Sequence, residues 1–254
     1  MTPPGLTIVS LLPELLDLHA DSANAAALRQ RASWEGLTVE LDAVASGETL
    51  SSAHPDLILV GSGADDDLES AAAELARIAG GIRDWLDAGS ALLAIGTGWE
   101  LLADRVEYAP GKFMAGRGIF IGSARLLPER ASGDLVVSPM HGLTSGVSVG
   151  FENHSRGYAP GAGEQPLGTV LHGVGNGDGH EGVRQGAAIG SHLHGPLLAK
   201  NPTLVDKLIA QFMHKRHRDY RARSPEAALA DDLADRARRD ILSPLGISNG
   251  LGIS

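Results

Sequence analysis

Residues 91–102, ALLAIGTGWELL, constrain this chain more than any other stretch. The unbroken apolar run from 91 to 95 has the character of a parallel strand buried on both faces. After Gly96-Thr97-Gly98 a helix opens at Trp99-Glu100, and glycines let the backbone reverse that abruptly. Strand, glycine turn and helix in immediate succession lift the elbow residue above the end of a sheet. There it stands beside a helix N-terminus and backbone N–H groups that stabilise an anion. Enzymes built this way seat a nucleophile at that point. Here the elbow residue is Gly96, which has no side chain.

The stretches before it repeat the same alternation. Strands are expected over 6–11, 37–44 and 56–61, the last closed by Gly61-Ser62-Gly63. A helix behind Asp21 or Ser22 as N-cap runs to Trp34. A second helix, with acidic residues in its first turn where the helix dipole favours them, is predicted over 65–79. Gly80-Gly81 should break it before a further turn at 82–88. Strands separated by helices and joined by short connections imply a doubly wound, mainly parallel α/β sheet with helices on both faces. From Gly116 onward the texture changes to short strands and glycine turns, expected as a mixed or antiparallel extension of that sheet. Asn201-Pro202 then opens a helix with Leu204, Val205, Leu208, Ile209 and Phe212 on one face. A last helix after Ser224-Pro225 carries Leu229, Leu233, Ala237 and Ile241 as a narrow stripe fit to lie on a surface, its own or a partner's. The units read as a domain over 1–215, a helical extension over 216–243 and an unstructured tail over 244–254.

Composition removes several function classes. The chain contains no cysteine, which excludes disulfides, thiolate metal sites and cysteine nucleophiles. A formal net charge of -10 argues against a nucleic-acid surface, and the basic run Lys215-Arg216-His217-Arg218 reads as a solvated helix end. No apolar run reaches transmembrane length and no secretory leader is visible, so a cytoplasmic protein is expected.

Ligands in such sheets lie at the carboxyl ends of the strands. Two glycine turns fall there, Gly61-Ser62-Gly63 and Gly96-Thr97-Gly98, each able to offer backbone N–H groups to an oxyanion. His192 and His194, two apart, are a conceivable metal pair, but spacing suggests no third ligand and no metal is expected. One functional histidine at a strand end is the simpler reading. Glu152, Asn153 and His154 cluster in VGFENH, and GVGNGDGHEG is too irregular for a phosphate loop.

Together LDLHADSANAAALRQRA, GSGADDD, AIGTGWELL, ERASGDLVV, VGFENH, GVGNGDGHEG and GSHLHGPLLAKNP resemble the amidotransferase subunits of lipid II isoglutaminyl synthase. This is the GatD family, class I glutamine amidotransferases of the CobB/CobQ type. The resemblance spans nearly the whole chain. It implies a flavodoxin-like class I glutamine amidotransferase fold and a partner ligase similar to MurT. The ligase would hold ATP and magnesium, so this chain itself needs no cofactor. Through that complex the substrates would be glutamine, or a small amine, and lipid II, whose D-glutamate α-carboxyl is amidated in peptidoglycan synthesis.

In the family the elbow reads Cys-Gly-Gly, an aromatic and Gln. The corresponding residues here are Gly96, Thr97, Gly98, Trp99 and Glu100. The family's catalytic histidine falls on His194, its glutamine-binding arginine on Arg130, and its oxyanion turn on Ser62 and Gly63 with Thr97. Thr97 stands one residue too late to replace the thiol. Its acidic third residue is thought to come from the ligase, with Glu152 an in-chain candidate by default. The resemblance with the nucleophile missing implies lost or severely impaired glutamine hydrolysis. Three readings stay open: a non-catalytic partner of a ligase using free ammonia or an amine such as glycine, a glutamine-binding regulatory module, and an amidotransferase altered at position 96.

Overall fold

The computed structural model describes residues 5–51 and 53–248. Its first sheet is built from β1 (Gly5–Leu11), β2 (Thr38–Val44), β3 (Leu57–Val60) and β4 (Ala91–Ile95). Two late strands complete it, β11 (Val183–Gln185) and β12 (Ala188–Ser191). The order is β11-β12-β4-β3-β1-β2, parallel throughout except for β11 against β12. The parallel part has the flavodoxin-type order, with its switch point between β1 and β3.

Alternating side chains divide the core. Leu6 and Ile8, Leu57 and Leu59, Leu93 and Ile95 pack with α1 (Ala23–Trp34) and α5 (Pro202–Lys215). Val9 and Leu11, Ile58 and Val60, Leu92 and Ala94 pack with α2 (Leu68–Asp87) and α3 (Thr97–Leu102). The helix expected to break at Gly80-Gly81 does not break. After a 3₁₀ turn at Asp65–Asp67, α2 continues through both glycines to Asp87. Propensity is a weak prior against packing, and here the small residue has a use: a β-carbon on Gly81 would lie 2.8 Å from Leu50 Cδ1, so the glycine seats Leu50 against the helix.

The later strands only partly extend the first sheet. Most form a second one from β5 (Arg105–Ala109), β6 (Lys112–Ala115), β7 (Ser123–Val137), β8 (Ser148–Ala159), β9 (Gly168–His172) and β10 (His180–Glu181). Its spine is the antiparallel β7–β8 pair, whose register shifts between Leu126 and Ala131. A bulge of this kind re-aims side chains, and Arg130 stands in it. Main-chain bonds between Phe151 and His194 tie β8 to the loop after β12.

The short α4 (Leu197–Lys200) leads into α5, and α6 (Pro225–Leu242) lies across α1, α4 and α5. The buried face of α6 is Ala227, Ala234, Arg238 and Leu242, while Leu229 and Leu233 of the expected stripe are exposed. A polar clamp decides this. Arg31 of α1 is 4% exposed and bonds both Asp206 (2.7 Å) and Asp231 (2.6 Å), which fixes the rotation of α6. Residues 244–248, at the start of the stretch read as an unstructured tail, turn back so that Leu245 and Ile247 pack beside Val136, Val147 and Val149. Residues 249–254 lie outside the described part. No described helix is long and apolar enough to cross a membrane.

Candidate active site

Four loops meet at the carboxyl ends of β1, β3, β4 and β12. The turn after β4 holds Gly96 at φ 51° and ψ −126°, a left-handed conformation that L side chains adopt only under strain. Its N–H donates to Ser191 O, and Gly98 N–H donates to Gly61 O, so the elbow is pinned to both neighbouring strand ends. Gly98 must be small, because a β-carbon there would overlap the Gly61 carbonyl oxygen. Trp99 then packs against Tyr158 and His192, and a β-carbon on Gly190 would strike its indole.

His194 faces the elbow. A β-carbon built on Gly96 would lie 2.9 Å from His194 Cε1, 3.2 Å from its Nε2 and 3.0 Å from Ser62 Cβ. The ring therefore occupies part of the space a side chain at position 96 would need. His194 is 1% exposed, and its Nε2 has no hydrogen-bond partner among the described residues. Its Nδ1 lies 3.2 Å from Asp21 Oδ1. The other oxygen of Asp21 accepts from Ser62 N–H (2.9 Å) and Ser62 Oγ–H (2.6 Å). Burial would raise the Asp21 carboxyl, but the bonds and charge from His194 and Ser62 outweigh it and hold it below the ordinary carboxylate range. With Asp21 ionised, Nδ1 donates to it, and in the neutral imidazole Nε2, which faces the elbow, is the nitrogen that carries the lone pair. His19 lies 4.5 Å from His194 between ring centroids; burial and the neighbouring His194 push its basicity down.

The sequence-derived candidates fare differently. Gly96, Thr97, Ser62, Gly63, Arg130 and His194 all line one cavity of about 40 Å³. Gly63 and Thr97 have N–H groups without an acceptor among the described residues, so both can serve an oxyanion. Ser62 cannot, because its N–H is committed to Asp21. Thr97 Oγ1 donates to the Gly63 carbonyl at 2.9 Å and does not meet His194. Arg130, about half exposed, is held by Asn153 (2.7 Å) and Ser155 (2.8 Å), which leaves part of its guanidinium for a carboxylate. Opposite, buried Glu100 bonds Arg156 at 2.5 Å, and Arg156 also bonds Asp65 at 2.7 Å.

Glu152 is not the acid beside His194. Its carboxylate accepts from Val174 and Gly175 N–H and faces His154 Nε2 at 3.1 Å, so it orders the glycine-rich loop. His192 and His194 do not converge on one point. His192 turns to buried Glu181 and stacks on His154 at 3.9 Å between centroids. Ser22 does occupy the N-cap of α1, but its hydroxyl donates to Asp17 and does not cap. The acid that pairs with His194 is Asp21, which sequence reasoning took for a helix cap. Its position in the loop between β1 and α1, beside the switch point, was the signal available.

The model of the CobB/CobQ-like glutamine amidotransferase domain matches residues 7–202. Subunit GatD of the glutamine-hydrolyzing lipid II isoglutaminyl synthase of Staphylococcus aureus strain N315 is 31% identical over 206 residues, 80% of this chain and 83% of that protein. The GatD subunit of Streptococcus pneumoniae strain ATCC BAA-255 / R6 is 28% identical over 238 residues, 92% of this chain and 90% of that protein. The crystal structure of a Thermotoga maritima glutamine amidotransferase shares the fold, with a TM-score of 0.53 at 14% identity over 93% of each chain. With the strand-end loops assembled as described and the match running through most of its length, the chain belongs to the GatD family of CobB/CobQ-like glutamine amidotransferase subunits.

Proposed function

We propose that this chain is the GatD-type subunit of a lipid II isoglutaminyl synthase in which the thioester route of glutamine hydrolysis is closed. It acts in the cytoplasm beside a MurT-like ligase. The ligase holds ATP and magnesium and activates the D-glutamate α-carboxyl of the stem peptide. The amine then comes from free ammonia or a small amine such as glycine.

One observation carries the reading. The side-chain direction at Gly96 runs to His194 Nε2, so the elbow is the seat of a nucleophile, and the seat is empty. Acyl transfer through a thioester needs a thiolate activated by a base, and no cysteine exists in the chain. Thr97 offers no substitute while its hydroxyl serves the Gly63 carbonyl. Removing the nucleophile from a comparable hydrolase costs on the order of a millionfold in kcat.

The test is to purify the chain with its ligase and supply ATP, lipid II and, separately, glutamine, ammonium chloride or glycine. Amidation from ammonium or glycine with little from glutamine is expected. Efficient amidation from glutamine overturns the reading.

A further inference from the structure

Two open cavities of about 570 and 620 Å³ run along the outer face of α5. They share Lys207, Ala210 and Tyr220 and so form one groove. It lies where β4 begins, at Ala91, the opposite end of that strand from the elbow. Each half has the size of a site for a small organic ligand. One wall is α5, on which Lys207, Gln211 and His214 recur at helical spacing. The second is the segment after α5, folded back so that the Tyr220 hydroxyl donates to Asp206 at 3.0 Å. The turn between β11 and β12 closes one end with Arg184 and Ala187.

The charge of this groove runs against that of the chain. The chain carries a formal -10, yet the 570 Å³ half is lined by Arg184, Lys207, Lys215 and Arg218 against one carboxylate, Asp219. Nearby acids are already spent, Asp206 and Asp231 on Arg31 and Asp56 on Arg216. Lys207 and Arg218 are left without an ion pair among the described residues, and Arg184 commits only its Nε, to the Gly186 carbonyl. The negative end of α5 does not consume these cations. Main-chain N–H groups of Arg216, His217 and Arg218 close the carbonyls of Met213 and His214, and the Arg216 side chain covers that of Phe212. Only Lys215 turns away, to the Gly89 carbonyl. Beneath the cations lie Ala91, Ala187, Ala210 and Phe212, with the half-buried Tyr220 ring beside them.

We infer that this groove binds a diphosphate ester, with the phosphates on Lys207, Arg184 and Arg218 and the organic part along Tyr220. Three uncommitted cations suit a ligand with two or three negative charges, and the arginines offer the planar donor pairs that phosphate oxygens take. The apolar floor suits an ester better than inorganic anion alone. Free nucleoside diphosphates and lipid-linked diphosphates share this chemistry. The inference is independent of the elbow and of where the ligase finds its amine.

The experiment is titration calorimetry on the full chain with ADP, geranyl diphosphate and adenosine as separate probes. Lys207→Glu, Arg218→Glu and Arg125→Glu are purified identically, the last as a control on the exposed side of β7. All the substituted residues are exposed, and thermal melting confirms that each variant is folded. At least one diphosphate is expected to bind with a Kd below about 1 mM, more weakly as salt is raised. Adenosine should not bind. Each charge reversal in the groove should weaken binding about tenfold or more, the scale of one hydrogen bond to a charged group, while Arg125→Glu leaves it unchanged. Binding of ADP alone assigns the groove to free nucleotides, and binding of geranyl diphosphate alone assigns it to lipid-linked diphosphates. Binding of neither, or binding that persists unchanged in both groove variants, overturns the inference. None of these outcomes touches the free-amine reading, which fails only if the ligase complex amidates efficiently from glutamine.

Discussion

His194 Nε2 lies 3.2 Å from the point where a β-carbon on Gly96 would sit, and no polar group among the described residues meets it. Restoring a side chain at position 96 must therefore displace the imidazole and also accept a left-handed backbone. Gly96→Cys is expected to lower stability by about 1–3 kcal/mol, the usual cost of a strained non-glycine residue. Thermal or urea unfolding measures it. Intact-mass analysis after iodoacetamide should show a single adduct at the new thiol. An unchanged melting temperature would show that the loop relaxes freely.

Asp21 holds two chain segments with one carboxylate. Asp21→Ala would leave the Ser62 N–H and Oγ–H and the His194 Nδ1–H buried without an acceptor. A loss of about 2–3 kcal/mol is expected, in the range for hydrogen bonds to charged groups. Amide exchange at 62–63 should speed up more than at β4. Uniform protection across both regions would contradict the assignment.

Acidification should weaken the fold in two stages. Burial, followed by the nearby His154, depresses His192 below its ordinary value, so the unfolded chain takes up the proton first. Its contribution is complete above about pH 6.5 and declines as pH falls from there. Asp21, Glu152 and Glu181 are held below the ordinary carboxylate range by their hydrogen bonds, against burial that would raise them. Their contributions are present above about pH 4 and are lost as pH falls further. Unfolding free energy measured from pH 8 to pH 3 should show both declines, and His192→Gln should remove much of the first.

Arg31 is expected to govern how firmly α6 is attached. Arg31→Met removes the bonds to Asp206 and Asp231, the second of which is 43% exposed and partly screened. A loss of about 1–3 kcal/mol should be accompanied by faster proteolysis near 221–224. Cleavage unchanged from wild type would mean that apolar packing alone holds the helix.

The parallel sheet was legible in the sequence because buried strands such as LLAI and LILV announce themselves, and glycine turns mark their ends. The line of α2 was not legible, because Gly81 matters for the seat it gives Leu50, a contact between distant residues. Among the site residues, Gly96, His194 and Arg130 could be named from motifs. The tie between Asp21 and Ser62 could not, since it joins two loops 41 residues apart and has no local pattern. The same tie removes Ser62 from the expected oxyanion donors. Which side of α6 packs on this chain was not legible for a related reason: spacing identifies a stripe that could lie on its own surface or a partner's, whereas the clamp from α1 turns Leu229 and Leu233 away from the chain's own core.

The family match ends at residue 202, the first residue of α5. A fragment cut at that boundary would lose Leu204, Val205, Leu208, Ile209 and Phe212 from one face of the sheet. It would also strand a buried guanidinium at Arg31 whose carboxylate acceptors lie at 206 and 231. The unit that must be expressed to obtain folded protein is therefore longer than the unit the domain model matches, and it includes α6.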